Sequence, residues 1–477
     1  MKKLSKKAKT LIFSAAGLLL LTAVLVVLML TQEAPEEEHQ PEPVLTRVDF
    51  TELAPEDIVG IIVKNEQDEY TIEQSLSGGF NVPVLLGAPL NQSRLHNAAR
   101  YMSGFWARDI VEENAEDLEK YGLSNTAAQA VVSFVNGETL NILIGDRTLT
   151  ADDMTYVRLH GENDVYVVWS HLVSFLKEPR YHYVLLTVTE DYQEAGFPSV
   201  ERIEIERAGG ERFVIEAYSE VHADDMTFNK FRFTEPVQNI EVDSTRGQNI
   251  IIGLYGLNAT GVVYVGEELP EEGELALFVE MTAEGKTTSL TVRTVSDNGA
   301  VVFQGVHSDY PEVLYTFAPG VLPWLDFDVE RVMAPLFLQP YIYTVTDFII
   351  ETPEHTLSFL CTGEGRSDEE YFLDGEPIET APFKDLYIYA ICASATGLFT
   401  GEPEDIEEMP FLARYTYTFR EASGRGDIVA EFYDAGNLRS VIVLNGEPRF
   451  TTSTLYLTRL YQNIEAYLGG EKVISWP

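Results

Sequence analysis

Cys361 and Cys392 are the only thiols among 477 residues. A disulfide-built fold needs many more, so the architecture does not rest on them. A single bridge between the two and a pair of buried free thiols both fit the sequence. Positive charge is scarce as well. Lys and Arg total 33 against 76 Asp and Glu, a formal net charge of −43. That balance disfavours nucleic acid and other polyanions as partners, because phosphate binding needs clustered Lys and Arg.

Catalytic and cofactor signatures are missing too. The chain holds no Gly-x-Gly-x-x-Gly, no Gly-x-Ser-x-Gly and no His-x-x-x-His, which leaves a dinucleotide site, a hydrolase elbow and a helical zinc site unsupported. Gly285-Lys286-Thr287 matches the end of a phosphate loop by letters, but Glu280 stands where the first glycine belongs. The tripeptide also falls between two strand-like runs, so it reads as a hairpin turn, and so does Gly-Arg-Gly-Asp at 424–427. The phrase Ala-Asp-Asp-Met occurs twice and supplies the only weak metal candidates, Asp152 with Asp153 and Asp224 with Asp225. Calcium sites need several converging oxygens, so both pairs read as solvated turns. No enzyme activity and no cofactor are expected.

What the sequence does contain is an unusual start. Residues 11–30 carry no charge and are rich in Leu, Val and Ala. At about 1.5 Å per residue, twenty residues match the roughly 30 Å hydrocarbon core of a bilayer. Five lysines precede the run and a Glu-rich, Pro-punctuated stretch at 31–45 follows it. Basic residues stay on the cytoplasmic side, so the expectation is a single-pass cell-membrane protein with a cytoplasmic N-terminus. On this reading residues 1–10 are a basic tail, 11–30 a signal anchor, 31–45 a stalk, and the bulk is extracytoplasmic. The run exceeds the apolar region of a cleaved signal and lacks an Ala-x-Ala site. No Cys follows it for lipoprotein processing.

The remainder repeats. Segments 58–74, 199–217 and 344–361 each read as strand, polar turn and strand with period-two apolar alternation. Each precedes a helix-like stretch, at 90–106, 243–257 and 381–399. In the first of these, Leu95, Ala98, Ala99 and Met102 fall on one helical face. Further strands follow, joined by Asn-Gly and Asp-Asn-Gly turns, and a short helix closes each copy within 165–176, 314–325 and 449–468. The expected class is α+β: an N-terminal transmembrane helix, then about three modules of β-hairpin, helix, antiparallel strands and short helix, at 46–185, 186–340 and 341–477.

These phrases meet in one family. With VGIIVKNEQDEYTIEQ, GFWARDIVEEN, LEKYGLSN, LNILIGDRT and YVRLHGENDVYVV, the chain resembles bacterial proteins of the domain of unknown function 4340 family over residues 55 to 185. The resemblance brings no catalytic residues. It implies an accessory role in the cell envelope, beside ABC-type export systems. The expected function is a membrane-anchored binding or scaffold protein. A mechanical spacer or adhesin is the alternative, ahead of an envelope hydrolase using paired carboxylates.

Overall fold

The computed structural model describes residues 47–476, apart from 76–77, 150–151, 191, 193–195, 219–228, 271, 364 and 424–425. The described chain forms four antiparallel sheets of two, eight, nine and nine strands. It divides into two compact units, residues up to Glu66 with Ala98–Lys177, and Gln67–Asn97 with Glu178 onward.

In the first unit, β1 (Val48–Asp49) pairs with β5 (Trp106–Ala107). Its larger array contains β2 (Ile58–Asn65), β6 (Asp109–Glu112), β7 (Ala128–Phe134), β8 (Thr139–Arg147), β9 (Met154–Leu159) and β10 (Val165–Trp169). These run in the order β2-β7-β8-β9-β10-β6. Strict alternation in β7 buries Ala128, Ala130, Val132 and Phe134 and turns the residues between them outward.

The second unit begins with β3 (Glu69–Gln74) and β4 (Phe80–Asn81), which pair with each other. Its first nine-stranded sheet comprises β11 (Val200–Arg207), β12 (Arg212–Ala217), β13 (Phe231–Glu235), β14 (Ile240–Val242), β15 (Gly261–Val265), β16 (Glu274–Ala283), β17 (Lys286–Asp297), β18 (Ala300–His307) and β19 (Val313–Phe317). The next comprises β20 (Val345–Glu351), β21 (Thr356–Thr362), β22 (Glu370–Leu373), β23 (Glu376–Pro377), β24 (Gly397–Leu398), β25 (Phe411–Phe419), β26 (Ile428–Gly436), β27 (Arg439–Leu444) and β28 (Glu447–Ser453).

Both nine-stranded sheets share one topology, β14-β13-β12-β11-β16-β17-β18-β19-β15 and β23-β22-β21-β20-β25-β26-β27-β28-β24. The six-strand order of the first unit matches the last six strands of each. In every case the strand just before the four-strand meander returns to close its far edge. Tight turns set the registers. Asn298-Gly299 and Asn445-Gly446 place both central residues at positive φ, 49° and 83° in one and 50° and 85° in the other. This backbone twist suits a two-residue hairpin, and Asn and Gly tolerate it best.

The α+β expectation is corrected here: the molecule is mostly β, with 42% of residues in strands and few helices. The helices are α1 (Gln92–Ser103), α2 (Gln248–Ile252), α3 (Val329–Val332), α4 (Thr380–Ile391) and α5 (Thr454–Leu468). The helix expected over 243–257 shrinks to the five residues of α2. Gly247, Gly253 and Gly256 interrupt it, each costing about 1 kcal/mol against alanine, and Asp243 Oδ1 diverts the Thr245 and Arg246 amides into a turn. The short closing helices expected within 165–176 and 314–325 are 3₁₀ turns, Ser170–Leu172, Ser174–Lys177 and Pro319–Val321. In the latter, Pro319 and Pro323 bar regular backbone bonding.

The single-pass placement is corrected as well. No helix of the described residues is long and apolar enough to cross a membrane. The longest of them, α5, has 15 residues, about 22 Å at 1.5 Å each against roughly 30 Å of hydrocarbon. It also carries Arg459, Gln462 and Glu465. Residues 1–45, which include the basic tail, the apolar run and the stalk, lie outside the described residues.

Cys361 and Cys392 are both buried and free. Burial pushes the Cys361 thiol up to about 12, so it is protonated and inert at neutral pH.

Asp68, ahead of β3, is a second structural anchor. Its carboxylate accepts from the Arg180 amide (3.0 Å) and Nε (2.6 Å), and Arg180 Nη2 grips the other oxygen. Burial raises the Asp68 pKa, but the Arg180 hydrogen bonds outweigh it and hold the carboxyl below its usual range. A depressed folded pKa contributes stability that is present above the unfolded value, about 3.9, and is lost as pH falls through the folded one. Asp68→Asn is therefore expected to lower the urea midpoint at pH 7, with the gap to wild type closing below about pH 4. An equal gap at pH 7 and pH 3 would contradict this.

Candidate functional site

The β16–β17 hairpin turns at Glu284 and Gly285, with φ of 50° and 74°. This is where the Gly-Lys-Thr letters fall, and no helix follows them. The turn instead sets Lys286 at the start of β17, where its Nζ donates to Asp309 Oδ2 at 3.0 Å. Opposite lies the segment 188–190. Thr189 Oγ1 donates to the Leu254 carbonyl (2.6 Å) and accepts from the Leu257 amide (2.8 Å), which ties the segment to the residues after α2. Tyr255, from that same stretch, meets Tyr192 edge-on at 5.1 Å.

A cavity of about 410 Å³ opens among these elements, lined by Glu190, Tyr192, Tyr255, Lys286, His307 and Tyr310 together with apolar neighbours. A second hollow of about 340 Å³ lies against Tyr255 and Phe197.

His307 is the most informative lining residue. It is the last residue of β18 and fully buried. Its Nδ1 accepts from the Asp309 amide at 3.2 Å, which assigns the ring proton to Nε2. That Nε2 has no hydrogen-bond partner among the described residues. Burial lowers the imidazole pKa, and the nearby Asp309 opposes this only in part, so the ring is neutral at pH 7. An unpaired buried N–H costs about 1–3 kcal/mol.

The charge inventory narrows what fits. Glu190, Glu284 and Asp309 face a single cation, Lys286, so anions are repelled. The Tyr192 and Tyr255 phenols are held protonated, first by burial and then by nearby acidic or phenolic groups. Ser and Cys are absent from the lining; of its two threonines, Thr189 is already engaged on both sides and Thr288 stands on β17. His307 is among the lining residues, and its neutral ring has Nδ1 already engaged by the Asp309 amide. The arrangement can hold a polar molecule.

The sequence-derived candidates are placed elsewhere. Asp152 ion-pairs with Arg108 at 3.1 Å, and Asp153 lies 3.8 Å from Arg147. Each carboxylate faces an arginine, so the pair does not converge on a cation. Asp224 and Asp225 lie outside the described residues, as do Gly424 and Arg425 of the Gly-Arg-Gly-Asp phrase. Among the described residues, Glu354, His355 and Glu465 bring metal-ligating atoms together. Of the cavity residues, only Lys286 sits in a phrase the sequence singles out. His307, Tyr192, Tyr255 and Tyr310 carry no local signal, because they come from separate segments between residues 192 and 310.

No curated protein and no solved structure matches the chain. The sequence model of the family described as Domain of unknown function (DUF4340) matches residues 82–275. That span runs from α1 through β15 and takes in Glu190, Tyr192 and Tyr255 of the cavity, while Lys286 and His307 lie beyond it. Over those residues the chain belongs to the domain of unknown function 4340 family.

Proposed function

We propose that this chain is a binding or scaffold protein and not an enzyme, with the His307 cavity as its ligand site. The observation that carries this reading is the buried His307 N–H, unpaired among the described residues, at a cavity walled by tyrosines. An uncharged, hydroxyl-rich molecule suits the inventory. Its oxygens accept from His307 and Lys286, its hydroxyls donate to Glu190 and Glu284, and a C–H face rests on Tyr255. The macromolecular partner implied by the family resemblance is a component of an ABC-type transporter.

The ligand half is tested by thermal shift against a panel of neutral sugars and polyols. At least one is expected to raise Tm, since a ligand at a hundredfold its Kd adds about 2.7 kcal/mol. His307→Phe fills the site with a ring of similar size and is expected to abolish the shift. The lost Asp309 contact costs this variant about 1 kcal/mol of its own. No shift from any panel member, or an undiminished shift in His307→Phe, would overturn the assignment. Crosslinking in intact cells tests the partner, and recovery of no transporter component counts against it.

A further inference from the structure

We infer that Glu354, His355 and Glu465 form a site for a divalent transition-metal cation, with Zn²⁺ the best match. One imidazole nitrogen and two carboxylate oxygens from these residues all lie within 4.8 Å of one another. His355 Nε2 and Glu465 Oε1 are already 2.7 Å apart, although 110 residues separate them in sequence. This is convergence produced by the fold, not a run of neighbouring acids.

Both arms of the site are held. His355 ends the turn between β20 and β21. There the Thr352 amide donates to the His355 carbonyl (2.8 Å) and the His355 amide to Thr352 Oγ1 (2.9 Å). Glu465 projects from α5, which is locked down by the buried Leu457, Leu460 and Ile464. Buried Asn463 on that helix clasps the Ile474 backbone, donating to its carbonyl (2.9 Å) and accepting from its amide (3.0 Å). Donors on such supports reach a common ion with little reorganisation.

Electrostatics independently favours a cation. Glu465 stands in the last turn of α5, which carries no basic residue and where the carbonyl end of the helix is already negative. A carboxylate there is unfavourable unless compensated. Among the described residues neither Glu354 nor Glu465 is ion-paired with a lysine or arginine.

The chemistry of the donors selects the metal. Zinc binds imidazole and carboxylate at about 2.0–2.2 Å, which spaces tetrahedral donors by about 3.3–3.6 Å. The His355–Glu465 pair, now 2.7 Å apart, must open slightly, and the wider separations, at most 4.8 Å, must close by on the order of 1 Å. Small χ changes of the two exposed glutamates supply both. Zinc would take the place of the proton shared by His355 and Glu465, leaving its remaining positions to water. Mg²⁺ and Ca²⁺ prefer oxygen-only shells, so the imidazole counts against them.

The test uses the full chain, stripped with chelator and titrated calorimetrically with ZnCl₂. One saturable site is expected, without a counterpart for MgCl₂. His355→Ala and Glu465→Gln should each weaken Zn²⁺ binding tenfold or more, and Glu465→Gln, at an exposed position, should leave the Tm of the metal-free protein unchanged. The inference fails if saturable binding is absent. It fails equally if His355→Ala binds Zn²⁺ as tightly as wild type, the result expected of a diffuse acidic surface.

Discussion

Phe348→Ala is expected to destabilise the protein by roughly 3–5 kcal/mol, the range for removing a buried aromatic ring. Phe348 lies on β20 and is fully buried. Its ring stacks on Tyr417 at 4.7 Å and Phe359 at 6.0 Å, and meets Tyr387 edge-on at 5.2 Å. Tyr415 packs at 6.1 Å. Tyr415 and Tyr417 are on β25 and Tyr387 on α4, so this one side chain joins neighbouring strands of the sheet to the helix above them. The cavity left by alanine cannot collapse, because its walls are rings fixed by their own contacts. Urea denaturation followed by tyrosine fluorescence measures the effect. A loss below about 1 kcal/mol would mean that the cluster repacks and that the aromatic core is softer than its geometry implies.

Arg420→Met is expected to cost roughly 2–4 kcal/mol, by a different mechanism. The Arg420 guanidinium donates to three carbonyls, those of Tyr343 (3.0 Å), Cys361 (3.2 Å) and Gly363 (2.7 Å). Methionine keeps much of the volume and leaves all three acceptors without their charged donor. Arg420→Lys should recover little of the loss, because one ammonium cannot span the fork that a planar guanidinium offers. If lysine restored full stability, Arg420 would matter as a charge and not as a clamp. Hydrogen exchange should localise the damage to the end of β21 and the loop after it, with β26–β28 protected as before.

Much of the β structure was legible because its signals are local. The pairs β11–β12 and β20–β21 lie within the hairpins read at 199–217 and 344–361. The Asn-Gly phrases sit at the turns, since positive φ at two successive residues is a demand the backbone makes on the spot. The α+β class was misread for the opposite reason. Helical periodicity in 243–257 is real, but glycines and an Asx turn break it, and in 314–325 prolines do. Only α1, α4 and α5 bury enough apolar side chains on one face to persist as longer helices.

The sequence alone determined the acidic character of the chain, the paucity of thiols, the strand-and-turn rhythm and the family to which residues 82–275 belong. Each of these follows from composition or from residues within a few positions of one another. Tertiary structure alone decided that the thiols stay apart and protonated, that the Gly-Lys-Thr turn borders a cavity, and that His307 is buried beside it with its Nε2 unpaired among the described residues. It likewise brought Glu465 to His355 across 110 residues. Such properties arise when distant segments exclude water from a shared space, and burial of that kind leaves no periodic trace along the chain.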